Sequence, residues 1–388
     1  MTEAAARARS GGGLGVAAAI IAISVAGIGF GHSLPLFAVL LDRAGAAGWQ
    51  NGAAAAAGAL AAVLAAPFYP RVIARLGLKP FLITCVLVMI GAYAGIFVVR
   101  ETIWAWYPWR FLFTLGASGV FVGSEIWING AATRANRGRL IGIYSTSLAL
   151  GFAAGPVMLE RTGYDGALPF VAGGAVFACA LIPILLARAP AAEPQDPADA
   201  RVLPLLRRAP VTFGASAVFG AVESTLLVFL PLLVLAAGFG DAASARVVAV
   251  YGAGLVTFQY ALGRAADRFG ITRTLWSCAA GAALIAAALP PLTGVLWQLY
   301  PAVFVLGGLV AGISTVGLVL LGDRFEGPRL AAASTGYATA WGLGAMVGPI
   351  TGGVMQDVGG FDRMIWLVAA ALGAYALAAF ARRGAAYP

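Results

Sequence analysis

The chain runs to 388 residues, of which 61% are hydrophobic and only 11% charged, and it carries a formal net charge of +9. A soluble domain carries about 25% charged residues, so this composition excludes an ordinary water-soluble enzyme or binding module and describes a polytopic membrane protein. The basic residues lie between apolar runs, so they read as topology determinants and not as a nucleic-acid footprint.

Apolar runs of roughly 18 residues or more recur throughout, each long enough for about 30 Å of hydrocarbon. Twelve spans are predicted, over 14–41, 51–70, 80–99, 104–128, 139–159, 167–188, 211–236, 244–265, 274–293, 297–321, 330–353 and 363–381. The first is too long for a signal-peptide core and is followed by further spans, so it is expected to stay as a helix. Cys85, Cys179 and Cys278 lie inside apolar runs without paired or metal-ligand spacing and read as small core residues. With His32 as the single histidine, no metal site is expected.

Alternate connections differ sharply in charge. The N-terminus, the loops near 71–79, 133–139, 188–210, 264–273 and 322–329, and the C-terminus hold 19 of the 25 basic residues. The opposite set holds Arg43, Arg100, Arg161, Arg246 and Arg363. The positive-inside rule therefore predicts a multi-pass protein of the plasma (inner) membrane with both termini cytoplasmic. The one long polar connection, within 188–210, is rich in proline and mixed charge and reads as a linker. The expected organisation is an N-terminal six-helix bundle over 1–188, a cytoplasmic linker over 189–210 and a C-terminal six-helix bundle over 211–388.

The halves repeat. PRVIARLGLK (70–79) matches GRAADRFGIT (263–272), and Gly151-x3-Gly155-Pro156 matches Gly344-x3-Gly348-Pro349, both at an offset of 193. Leu34-Pro35-Leu36 is aligned with Leu230-Pro231-Leu232 at 196. A duplicated six-helix unit is the plan of many secondary transporters, whose site lies near the bilayer midplane between the repeats.

These motifs resemble those of the major facilitator superfamily. Gly263-Arg264-Ala265-Ala266-Asp267-Arg268-Phe269-Gly270 resembles its G-x-x-x-D-R-x-G loop signature. Arg110 with Gly116 and Gly119 resembles its helix-four pattern, and Gly151-x3-Gly155-Pro156 the helix-five element of its antiporters. Glu125-Ile126-Trp127-Ile128-Asn129, followed by Asn136-Arg137-Gly138-Arg139 and Tyr144, is similar to the YcaD-like branch. The resemblance implies an all-α membrane protein with twelve transmembrane helices in two pseudo-symmetric six-helix bundles. In the first half Ala74 and Pro70 replace the signature aspartate and leading glycine, so only the Asp267 copy, with Arg268, can form the usual cytoplasmic lock.

Several residues carry possible chemistry. Glu223 lies about thirteen residues into the seventh span, roughly 19 Å deep at the helical rise. A carboxylate there loses its hydration and regains neutrality by taking a proton, which suits it to proton coupling or substrate binding. A hydrogen-bonded packing role is the alternative. Arg110 either snorkels to the interface or projects into the cavity, and His32 is a proton relay or a backbone-bonded residue. Glu125 with Arg137 and Arg139 reads as a charge cluster closing a cytoplasmic gate, or as a substrate contact. Trp127, Tyr251, Gln259, Tyr260, Tyr337 and Trp341 are candidate cavity-lining residues, whereas Trp104, Trp106 and Trp109 read as interface anchors. Pro35, Pro67, Pro156, Pro231 and Pro349 permit helix bends.

The expected function is secondary active transport of a small organic solute, coupled to protons, by a monomer in the lipid bilayer. An uncoupled facilitator and a non-transporting receptor or assembly protein are the alternatives. No G-x-x-x-x-G-K-S/T motif and no catalytic set appears, so neither an ATP-driven pump nor an enzyme is expected, and no cofactor is implied.

Overall fold

The computed structural model describes residues 3–131, 136–187 and 208–382, and every regular element among them is helical. The first seven helices are α1 (Glu3–Arg43), α2 (Gly48–Ala65), α3 (Tyr69–Leu76), α4 (Leu78–Val99), α5 (Trp106–Ala131), α6 (Arg137–Thr162) and α7 (Leu168–Leu186). The rest are α8 (Pro210–Ala236), α9 (Asp241–Phe269), α10 (Ile271–Ala288), α11 (Leu296–Arg324) and α12 (Gly327–Ala381). Most of the expected linker, the segment 188–207, lies outside the described residues.

Ten of these helices are long and apolar enough to cross a membrane, or eleven when α2 and α3 are taken as one broken span. The expected single span over 51–70 is in fact bent by 62° between α2 and α3. Pro67 lies in the break and Pro70 in the first turn of α3, where the missing amide hydrogen costs nothing. The last helix holds 55 residues, roughly 80 Å of helix, too much for one crossing. It divides at Gly359 and Gly360, the latter at φ +76°, a left-handed conformation glycine reaches without strain. Its two arms complete twelve spans. The loop expected over 354–362 is thus almost all helix, with the turn confined to a glycine pair. Pro35, Pro156, Pro231 and Pro349 lie inside continuous helices. Large apolar side chains such as Leu87, Val98, Leu186 and Leu284 are more than half exposed, which suits hydrocarbon and not water.

Contacts divide the chain into two compact units, Met1–Leu40 with Ala61–Asp196 and Leu41–Leu60 with Pro197–Pro388. In the first, α4 packs on α5 and α7 while α1 crosses α6. In the second, α8 packs on α12, α9 on α11, and α10 on both α11 and α12.

The duplication is visible as a repeated set of close approaches. A side chain at Gly151 would collide with the Ser24 carbonyl, and one at Gly344 with the Ala217 carbonyl. Gly155 meets Ile28 as Gly348 meets Ala221, and Gly27 meets Leu148 as Gly220 meets Trp341. Gly119 presses on the Cys85 sulfur and Gly312 on the Cys278 sulfur. Gly77 (φ +84°) and Gly270 (φ +94°) make the same left-handed turn, each returning its N–H to the carbonyl four residues back, Ile73 and Ala266. Every pair is 193 residues apart. The alignment of Pro35 with Pro231 therefore slips by three residues, nearly one turn, because a short Leu-Pro-Leu string carries less register information than a glycine crossing.

Leu41–Leu60 belongs with the second unit for equally local reasons. Asp357 accepts the backbone N–H groups of Gly48 (2.7 Å) and Trp49 (2.9 Å), which seats a carboxylate on the first turn of α2. Arg43 pairs with Asp241 at 2.6 Å. Side chains at Gly52 and Gly353 would collide with the carbonyls of Pro349 and Gly48. Of the glycine pair Gly352-Gly353 of α12, which α6 lacks, Gly353 thus makes room for this segment while Gly352 faces Thr225 of α8.

Candidate functional site

Glu223 stands at the centre of the 27-residue α8, with thirteen residues on either side. The small residues Gly220 and Ala221 beside it let α12 approach, and this brings Trp341 to the carboxylate. The Trp341 Nε1–H donates to Glu223 Oε2 at 3.2 Å. Tyr251 of α9 is close enough to interact with Glu223 electrostatically. It is fully buried, with its ring against Gly307 of α11, and its hydroxyl finds no hydrogen-bond partner among the described residues. Glu223 itself is half-buried and meets no lysine, arginine or histidine among the described residues. The cluster of a carboxylate, an indole N–H and a phenol can hold a proton or a donor group of a solute.

The other cavity candidates separate. Tyr337 is buried in a core with Phe213 and Phe325. Its hydroxyl donates to the Ser314 carbonyl at 3.0 Å and its own carbonyl accepts the Ser216 hydroxyl at 2.6 Å. Gln259 and Tyr260 lie exposed on the helix surface, eight and nine residues beyond Tyr251, and Arg264 reaches the Tyr260 hydroxyl at 3.3 Å.

In the first unit, His32 is fully buried. Its Nδ1 lies 3.2 Å from the Tyr93 hydroxyl and its Nε2 3.4 Å from the Thr162 hydroxyl, so its neighbours are side chains and not backbone. Neither partner carries a sequence signal. Arg110 is buried, with its guanidinium 4.9 Å from the Phe37 ring centre, so it does not snorkel. Phe37 belongs to an aromatic cluster with Tyr93, Trp106 and Phe113. Trp106, expected as an interface anchor, is fully buried there and donates to the Arg100 carbonyl at 3.1 Å, whereas Trp104 is exposed.

The expected gate residues are spread over exposed helix ends. Glu125 is exposed near the end of α5, Arg139 near the start of α6, and Asp267 and Arg268 near the end of α9, where Arg268 lies over the Phe269 ring. No ion pair joins these four to a partner among the described residues. The Arg137 side chain lies outside that description. No group of metal-binding side chains occurs among the described residues.

The family model for the Major Facilitator Superfamily matches residues 14–300 and 247–387. The chain belongs to the major facilitator superfamily. It is 26% identical over 340 residues to the MFS-type transporter YfkF of Bacillus subtilis (strain 168), covering 84% of this chain and 85% of the relative. It is 24% identical over 274 residues to the MFS-type transporter YcaD of Escherichia coli O139:H28 (strain E24377A / ETEC), covering 69% and 70%. Among solved structures it superposes on the nucleoside transporter NupG with TM-score 0.76 at 16% identity, covering 97% and 99% of the two chains. A D-xylose-proton symporter matches with TM-score 0.74 at 14% identity, covering 94% and 97%. These structural likenesses show the fold alone, and it is the family match that makes the chain a multi-pass membrane transporter and not an enzyme.

Proposed function

We propose that this transporter moves a small organic solute by proton-coupled alternating access, with Glu223 as the proton-exchanging group. One observation carries the reading: a carboxylate sits at mid-span, bonded to the Trp341 N–H and without a basic partner among the described residues. Such a group becomes neutral by taking a proton or by meeting a positively charged donor, so its charge can follow the side it faces. The D-xylose-proton symporter among the structural neighbours supports proton coupling as a use of this fold. On this reading 1–188 and 211–388 are the moving halves, 189–210 joins them on the cytoplasmic side with both termini, and a monomer suffices.

The test is a thermal-shift screen of purified protein against nucleosides, sugars and amphipathic drug-like compounds near pH 6 and pH 8. A ligand that binds the folded state raises apparent stability by RT ln(1 + [L]/Kd), so weak binders register at high concentration. The expected result is a set of hits whose shift depends on pH in wild type and not in Glu223→Gln. Equal pH dependence in both proteins overturns the role of Glu223, and pH-independent hits in both point to an uncoupled facilitator.

A further inference from the structure

We propose that the Tyr251 hydroxyl is a second, state-specific hydrogen-bond partner of Glu223, engaged when the carboxyl carries its proton. The inference rests on Glu223 as the proton site and deepens it by naming a positioning residue. A buried hydroxyl left without a partner costs about 1–3 kcal/mol, so a native structure that keeps one calls for an explanation. Tyr251 is such a hydroxyl, on a fully buried side chain whose backbone carbonyl and ring edge pack on Gly307, and it is within electrostatic reach of Glu223.

The two neighbours of Glu223 differ in what they can do. The Trp341 indole is a donor only, so it bonds a carboxylate oxygen but cannot accept a proton from a carboxylic acid. A phenol both donates and accepts, so its oxygen can receive the O–H of the neutral acid. Trp341 therefore favours the charged form, and Tyr251 completes the neutral form in the alternate arrangement of the helices. Among the described residues no other ionisable group is bonded to Glu223. On α12 the Tyr337 hydroxyl is committed to the Ser314 carbonyl, on α11 Arg324 reaches Thr212, eleven residues before Glu223, and on α9 Arg246 is exposed. At the equivalent positions 193 residues earlier stand Phe30 and Gly58, so the other copy of the repeat carries neither the acid nor the phenol.

The experiment is infrared difference spectroscopy of the purified protein between alkaline and acidic pH. The carboxylic-acid C=O band that Glu223→Gln removes reports the proton on Glu223. Tyr251→Phe, which keeps the ring, is expected to move that band to higher wavenumber and to lower the pH at which it appears by about one unit, a tenfold loss of proton affinity. Its thermal stability at alkaline pH should not fall, because the hydroxyl has no partner in that state. Trp341→Phe should shift the midpoint the opposite way. In wild type a tyrosine C–O band should change together with the carboxyl band and stop changing in Glu223→Gln, an arm that does not depend on the Tyr251 variant folding. An unchanged carboxyl band and midpoint in Tyr251→Phe, or no coupled tyrosine band, overturns the role of Tyr251 while leaving Glu223 as proton site. Absence of any carboxyl band sensitive to Glu223→Gln overturns both.

Discussion

The two units share one scaffold and carry different chemistry on it. At an offset of 193 residues the same helices cross at the same glycines: Gly27, Gly151 and Gly155 in one unit, Gly220, Gly344 and Gly348 in the other. Where the second unit places Glu223 under the Trp341 indole, the first places Phe30 at Phe113 and Phe121 (centroids 5.6 and 5.3 Å) and Leu148 in place of the tryptophan. The first unit keeps its ionisable groups elsewhere, His32 between Tyr93 and Thr162 and Arg110 against Phe37. Duplication therefore constrains the backbone crossings, which allow no side chain, and leaves the positions facing inward from those crossings open to divergence.

Four measurements sharpen this comparison. The largest expected effect is functional and one-sided: Glu223→Gln removes the pH dependence of ligand-induced thermal shifts, whereas His32→Gln retains it, as read in the same screen. An equal loss in both variants would place coupling in both units. Next come the crossings, where the units should behave alike. Gly151→Val and Gly344→Val each force a side chain against a backbone carbonyl and should destabilise by about 1–3 kcal/mol in thermal or denaturant unfolding. A large difference between them would show that the two crossings are not energetically equivalent.

The third pair is a hydroxyl in each unit. Tyr144 lies 2.7 Å from the Ser124 hydroxyl and Tyr337, 193 residues later, bonds the Ser314 carbonyl. Tyr144→Phe and Tyr337→Phe should each cost about 1 kcal/mol, the net worth of one buried hydrogen bond. The smallest effects belong to Leu41–Leu60. Asp357→Ala should loosen the start of α2 by about 1 kcal/mol, as loss of a helix cap does. Arg43→Gln should change stability by less than about 1 kcal/mol, since the pair with Asp241 is over a third exposed on the arginine side. Protease accessibility of the 44–47 turn would read both.

Much of the architecture is legible in the one-dimensional pattern. Continuous apolar runs long enough for a bilayer favour helices, because only a helix satisfies its backbone within its own segment there, and the twelve runs appear as twelve spans. The glycine spacings gave the repeat its register wherever a backbone contact demanded them. The short Leu-Pro-Leu string did not, because proline inside a span tolerates a one-turn displacement without exposing a polar group to lipid. The depth of Glu223 follows from counting residues along α8, and an isolated carboxylate at that depth is conspicuous against apolar neighbours.

What only the tertiary structure decided is which side chains meet. Hydropathy along a span does not fix the rotation of a helix about its axis, so Tyr251, Gln259 and Tyr260 looked alike as aromatic or polar residues of one helix. Packing buries Tyr251 within electrostatic reach of Glu223, while Gln259 and Tyr260 fall on the exposed side. Trp106 likewise sits among rings although its position near a helix start suggested the interface. Asp357 gave no signal at all, since a carboxylate at a helix end becomes a cap only when another helix start is brought to it. The sequence by itself determined spans and duplication, because these depend on local composition and on contacts that exclude side chains. The Glu223–Trp341–Tyr251 cluster depended on three helices distant in sequence, and only their packing could assemble it.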